Sequence, residues 1–217
     1  SGTGENRAAG VYSPSNSFKV TAENCIFSDN SASDKGGVTY HGTWTVQNCS
    51  FSGNSATGTL GGGGVAYQGM WSVSNSTFIG NTAAGLGGGV ARFSEWTVNK
   101  SRFINNTAGN KHGGVLAQST WTVYDSSFIG NSAHTGGVAI YSVCFVVNSV
   151  FSGNSAKDAG IAHDSTFTVI NSSFTGNVAE SDAAVAKNGE WTLVNSIIDA
   201  TNSSSSGFIF YNVEEFK

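Results

Sequence analysis

Hydrophobic positions in this chain follow two superimposed periods. Locally they alternate with polar residues, as in Trp44-Thr-Val46, Trp71-Ser-Val73, Trp96-Thr-Val98 and Trp121-Thr-Val123. Such alternation is strand periodicity, with Trp and Val on one face and Thr45, Ser72, Thr97, Thr122, Thr168 and Thr192 on the other. Over longer distances the alternating stretches themselves recur. A block Phe-x-x-Asn-x-Ala appears seven times, at steps of 24, 27, 25, 25, 23 and 23 residues, with Gly-Gly-Val or a variant soon after. A period in the twenties in a Gly-rich chain indicates a solenoid.

Aligning the blocks gives columns. Phe27, Phe51, Phe78, Phe103, Phe128, Phe151 and Phe174 form one, and Asn30, Asn54, Asn81, Asn106, Asn131, Asn154 and Asn177 another. A second aromatic column reads Phe18, Trp44, Trp71, Trp96, Trp121, Phe145, Phe167 and Trp191, followed two residues later by an aliphatic column from Val20 and Val46 to Val147, Val169 and Leu193. Two residues before each Phe lies a small residue, Cys25, Cys49, Ser76, Ser101, Ser126, Ser149 or Ser172, and that face is expected to point inward. Arg102, Val150 and their equivalents vary in size and charge, as solvent-facing positions do. A third strand carries Gly37, Gly64, Gly89, Gly114, Gly137 and Gly160, with Thr39, Ala66, Ala91, Leu116, Ala139 and Ala162 two residues on.

The residue before each Asn is Asp29, Gly53, Gly80, Asn105, Gly130, Gly153 or Gly176, types that tolerate a left-handed backbone. The Asn column is therefore expected to stack as an amide ladder at a tight corner. Length varies mainly between the Ala and Gly-Gly columns, and the longest insertion, Thr57 to Gly62, with the glycines through Gly64, reads as a flexible loop.

Three short parallel strands per turn and about eight turns predict an all-β, single-domain, right-handed parallel β-helix, since parallel crossovers are right-handed. At about 4.8 Å per coil the rod would be on the order of 40 Å long. The domain is expected to cover residues 1–217, with repeats over roughly 9–198 and a terminal coil or cap over 199–217. Ser1–Gly10 and Ser203–Ser206 read as loop. The apolar strand Phe208, Ile209, Phe210, Tyr211 is a candidate assembly element, because solenoid ends expose strand edges.

Composition narrows the class. Charged residues are only 11% and the net charge is −4, with no basic stripe for nucleic acid. No transmembrane run, signal peptide or initiator Met is present, which is expected of a processed secreted protein or an excised piece of a longer one. Cys25 and Cys49 share a column in adjacent coils, close enough for a disulfide or for two buried thiols. Cys144, placed one residue before the aromatic column, reads as outward and as a candidate intermolecular link. Asn48, Asn75, Asn99, Asn105, Asn171 and Asn202 open glycosylation sequons, several of which follow from the repeat itself.

The alternation of Phe-x-x-Asn with Gly-Gly-(small)-aliphatic, from about Ala9 to Ile198, resembles the repeats of chlamydial polymorphic membrane proteins. It departs from them in placing Val after Gly-Gly and in the regularity of the Trp-Thr-Val strand. The resemblance implies a β-helical passenger of a surface protein that acts in adhesion. On that basis the chain is expected to be a non-enzymatic, extracellular structural or adhesive repeat protein without cofactors. Its expected partners are its own copies, neighbouring repeats of a longer chain, or a host-surface or glycan ligand, with no nucleic acid and no direct membrane insertion.

Two other functions compete with this reading. Outward Thr-x-Thr pairs (Thr43/Thr45, Thr120/Thr122, Thr166/Thr168) fit an ice-binding face, but Met70, Glu95, Cys144, Val146 and Glu190 interrupt the array. A polysaccharide-active enzyme needs converging carboxylates. The best cluster, Asp158, Asp164 and Asp182, has no basic partner fixed by spacing, and Glu95 and Glu190 stand four coils apart. His112 and His134, in loops of adjacent coils, lack the further ligands of a metal site.

Overall fold

The computed structural model describes residues 3–4, 10–12, 18–59, 61–109, 112–199, 208–211 and 215–216. Every paired strand in it is parallel to its neighbour in the next coil, and the pairing keeps the columns in register: Phe78 faces Phe103, Trp71 faces Trp96 and Val73 faces Val98. Three parallel sheets form the walls of a β-solenoid of about eight turns. One holds the Phe strands, from Ile26–Ser28 to Ile197–Asp199. A second, of 16 strands, joins the Ala66-type and Trp-type segments, which run together as Ala66–Ser74 and Ala91–Asn99. The third consists of two-residue strands directly after each Asn, such as Thr107–Ala108.

Three of the corners in each coil follow one rule, while the turn through the insertion after the Ala column has no left-handed residue among the described residues. A residue in the left-handed region turns the chain, and the next residue points inward. The corner before the Asn column has Asp29, Gly53, Asn105 and Gly130 at φ of 54°, 62°, 51° and 63°. The corner before the Ser/Cys column uses Asn24, Asn48, Asn75, Asn148 and Asn171, along with Lys100 and Asp125. The third corner, between the Ala66-type and Trp-type segments, uses His41, Gln68, Phe93, Gln118, Tyr141, Asp164 and Asn188. Only the first of these corners was anticipated from the sequence.

A left-handed residue lifts the following N–H out of the sheet ladder, so the inward side chains replace that bonding along the axis. The Oδ1 of Asn106 accepts from the Asn81 backbone N–H (3.0 Å) and from Asn81 Nδ2 (2.9 Å). Its own Nδ2 donates to Asn131 Oδ1 (3.0 Å) and to the Phe78 carbonyl (3.0 Å). The Ser column does the same with a hydroxyl. Ser101 Oγ accepts from the Ser76 N–H (3.1 Å) and donates to the Asn99 carbonyl (2.8 Å). A second serine ladder, Ser94, Ser119, Ser142 and Ser165, runs along the third corner.

The core between these corners is aromatic. Phe rings stack from Phe27 to Phe174 with centroids 4.6 to 4.9 Å apart. Trp44, Trp71, Trp96 and Trp121 stack at 4.6 to 4.8 Å, and the Phe edges meet the Trp faces, as at Phe103–Trp121, 5.2 Å. Each such pair contributes about 0.5–1.5 kcal/mol beyond its burial. The indole N–H groups of these Trp residues and of Trp191 are buried and, among the described residues, have no hydrogen-bond partner. Val38, Val65, Val90, Val115, Val138, Ile161 and Val185, whose face was unassigned, are all buried.

Four expectations change. Val20, not Phe18, pairs with Trp44, and Ala22 pairs with Val46, so Phe18 lies outside the core. Cys144, not Phe145, sits in the Trp column between Trp121 and Phe167, and Val146 rather than Val147 follows it. In every coil the ladder residue lies five before the Ser/Cys column, a count that would have found both. Gly61 to Gly64 is not a loose loop, because all four glycines are buried. A Cβ on Gly64 would lie 2.2 Å from the Gly89 carbonyl oxygen, so this wall needs glycine. The segment Ser203–Ser206 and residues 5–9 lie outside the described residues, whereas Thr3–Gly4 pairs with Ser31–Ala32.

The fold makes a sharp contrast between neighbours. Phe103→Ala, with Phe78 and Phe128 stacked on either side, should lower stability by about 3–5 kcal/mol through a core cavity. The outward Arg102→Ala should cost less than about 0.5 kcal/mol. Urea midpoints of the two variants, compared with the parent, check the difference.

Candidate functional site

The repeated residues are spent on the scaffold. From the second coil onward the Phe and Asn columns and all five Trp residues are buried, while Phe27 and Asn30 in the first coil are partly covered. Phe208–Tyr211 pairs with Ala183–Lys187 as a further rung, and Phe210 meets Trp191 edge-on with Ile209 and Tyr211 exposed.

Cys25 and Cys49 are free thiols. They take the role of serines, since the Cys25 N–H donates to Cys49 Sγ at 3.4 Å and each Sγ donates to a carbonyl two residues back, Glu23 or Gln47. Cys144 is 4% exposed, so it cannot serve as the intermolecular link expected of an outward thiol. Beside it is a small apolar cavity of about 10 Å³ where its neighbours in the column place rings. Burial pushes its thiol pKa up.

Two contacts tie acidic side chains in the last coils. Lys187 Nζ lies 2.6 Å from Asp182 Oδ2, and His163 Nδ1 lies 2.8 Å from Asp164 Oδ2. Ser181 Oγ bridges toward Asp158 and Asp182 at 3.3 and 3.4 Å. Asp182 therefore has a basic partner that sequence spacing did not fix, and the hydrogen bond from Lys187 to Asp182 raises the lysine pKa. His112 is buried and His134 exposed, and among the described residues no three metal-ligating side chains cluster.

A groove of about 600 Å³ opens at the third corner, across four successive coils. Its walls include His41, Gln68, Met70, Phe93, Glu95 and Gln118. Their mutual support is extensive. The rings of Tyr40 and His41 stack at 4.1 Å, and His41 Nε2 bonds to Gln68 Oε1. Arg92 is nearly buried beneath the wall. Its Nε donates to Gln118 Oε1 (3.2 Å), its Nη1 to the Gly61 carbonyl (3.2 Å), and its guanidinium lies 4.6 Å from the Phe93 ring centre. No motif pointed to this site, because its residues differ from coil to coil. The signal was the bulky residue just before the Gly42, Gly69, Ser94 and Ser119 column.

Residues 24–42 match the Chlamydia polymorphic membrane protein (Chlamydia_PMP) repeat. The matched stretch holds Phe27, Asn30 and Gly36-Gly37-Val38, the Phe stack, the Asn corner and the glycine wall of one coil. One coil of this parallel β-solenoid is thus similar to that repeat. No curated protein and no solved structure matches it.

The buried thiol yields a pH test. A thiol whose folded pKa is raised stabilises the fold fully below its unfolded value of about 8.5, and that contribution is lost as pH rises toward the folded value. Between about pH 8 and 11 the parent should therefore lose more stability than Cys144→Val, in which Cys25 and Cys49 remain. Urea melts across that range measure it. Equal losses would show that Cys144 does not keep its thiol neutral in the fold.

Proposed function

We propose that the chain is an extracellular, non-enzymatic rod, a structural and adhesive segment of a cell-surface protein. One observation carries this reading: the Phe, Trp, Asn and Ser columns are turned inward as ladders, while an outward column beside them changes from coil to coil. The outward column that starts at Lys19 runs through Thr43, Met70, Glu95, Thr120 and Val143. A scaffold that holds its frame constant and varies its surface suits recognition by area rather than catalysis by one converged site. The match to a repeat of surface proteins supports the same location. On the outward Thr face Val143, Phe145 and Met70 break the ranks, which disfavours ice binding.

Adhesion is tested with beads coated with the purified chain and applied to cultured epithelial cells. Saturable attachment, competed by soluble chain and absent from beads carrying an unrelated β-solenoid, is the expected result. Attachment no better than the control solenoid would remove the adhesive part of the reading.

Self-association belongs to the same proposal. Phe208–Tyr211 leaves Ile209 and Tyr211 exposed on a rung whose pairing with Ala183–Lys187 continues the third-strand pattern. Light scattering at high protein concentration should fall on truncation after Ser206. If the full chain is already strictly monomeric, head-to-tail assembly is excluded.

A further inference from the structure

We propose that the groove at the third corner binds a linear, neutral oligosaccharide of β-1,4-linked pyranose units. The inference rests on the surface reading above and gives it a site and a ligand class.

The first observation is backbone strain. Four consecutive coils place His41, Gln68, Phe93 and Gln118 at φ of 66°, 56°, 54° and 51°. Left-handed backbone suits Gly, Asn and Asp, and the same column uses Asp164 and Asn188 further along the rod. The corner itself therefore does not require large side chains. Large side chains stand there in five coils, from His41 to Tyr141, and the first four of them line the groove, where strained residues tend to carry function.

The second observation is that the wall is held in place before any ligand arrives. An amide oxygen only accepts, so in the His41–Gln68 bond the imidazole Nε2 is the protonated nitrogen, and the Gln68 amide presents its NH₂. Arg92 fixes Gln118 in the same way, by donating to its oxygen. Arg92 and the edge-on ring of Tyr67, 5.6 Å away, also lock Phe93. Wall side chains whose rotamers are already fixed lose less entropy on binding.

The third is chemistry. Phe93 offers a 39% exposed ring, the two glutamines offer amide donors, and Glu95 offers a carboxylate acceptor. Pyranoses with equatorial hydroxyls pack their axial C–H face on such a ring while hydroxyls at the rim both donate and accept. The wall repeats every coil, about 4.8 Å, close to the rise per sugar in an extended β-1,4 chain. Glu95 supplies negative charge, and Arg92 is turned to Gln118, Phe93 and Gly61, so a polyanion is not matched.

The test is isothermal titration of the whole chain with cellohexaose, chitohexaose, maltohexaose and a heparin-derived hexasaccharide. One of the two β-1,4 hexasaccharides should bind with Kd at or below about 1 mM, with maltohexaose and the heparin fragment about tenfold weaker or more. Phe93→Gly and Gln118→Gly should each weaken binding by about tenfold or more. Both should remain folded by circular dichroism, since glycine accepts the left-handed corner. Phe145→Ala, on the outer face, should leave binding unchanged. The proposal is overturned if neither β-1,4 hexasaccharide gives heat at millimolar concentration, if the heparin fragment binds best, or if Phe93→Gly binds like the parent. Titration without bead attachment would uphold the groove and sink adhesion, whereas attachment without titration would do the reverse.

Discussion

The bond on which this structure depends runs along the axis, from a corner N–H of one coil to a side-chain oxygen of the next. Corners are where a solenoid leaves backbone donors outside its sheets, and a buried donor without a partner costs about 1–3 kcal/mol. Asn solves this with one atom serving two donors, and Ser solves it with one hydroxyl that accepts across coils and donates within its own. Because each solution needs the same residue at the same height in the next coil, the period cannot drift at the corners. Aromatic stacking at 4.6 to 4.9 Å follows from that fixed spacing, since rings in register meet face to face.

Variation is then confined to three places: the insertion after the Ala column, the outward strand positions and the left-handed residues. The insertion ranges in length because it lies beyond the reach of both ladders. The left-handed side chains leave the core; two corners keep to Gly, Asn and Asp apart from Lys100, while the third also carries large residues, four of which line a groove. The rod thus divides its sequence by direction: inward positions specify the frame, outward ones whatever the frame displays.

Much of the frame was legible because it repeats. Phe, Asn, Trp and Gly columns are visible without coordinates, and with them came the parallel solenoid and the corner at Gly130. The errors share a cause. Phe145 and Phe18 were assigned to the aromatic column because they are aromatic, whereas register is set by distance to the Ser/Cys corner. In that coil the inward residue is Cys144, and Phe145 is displayed instead at 37% exposure. The Lys187–Asp182 ion pair and the His163–Asp164 contact were missed because neither follows from the repeat. The groove was missed for the opposite reason: it is made of residues that do not repeat.

The bonds from the corner N–H groups of the Asn and Ser ladders all run one way. Asn81 donates forward to Asn106, Asn106 to Asn131 and Asn131 to Asn154, and the serines follow the same sense. One consequence is genetic. Excising residues 103–127 would join Arg102 to Phe128 and let Phe78 meet Phe128, with every donor still facing an acceptor, while excising half as many would set glycines against rings. Such a molecule can lengthen or shorten only in whole turns. Its evolutionary alphabet is therefore the duplicated coil rather than the single residue, and rods of different reach can arise from one ancestral unit without a new fold.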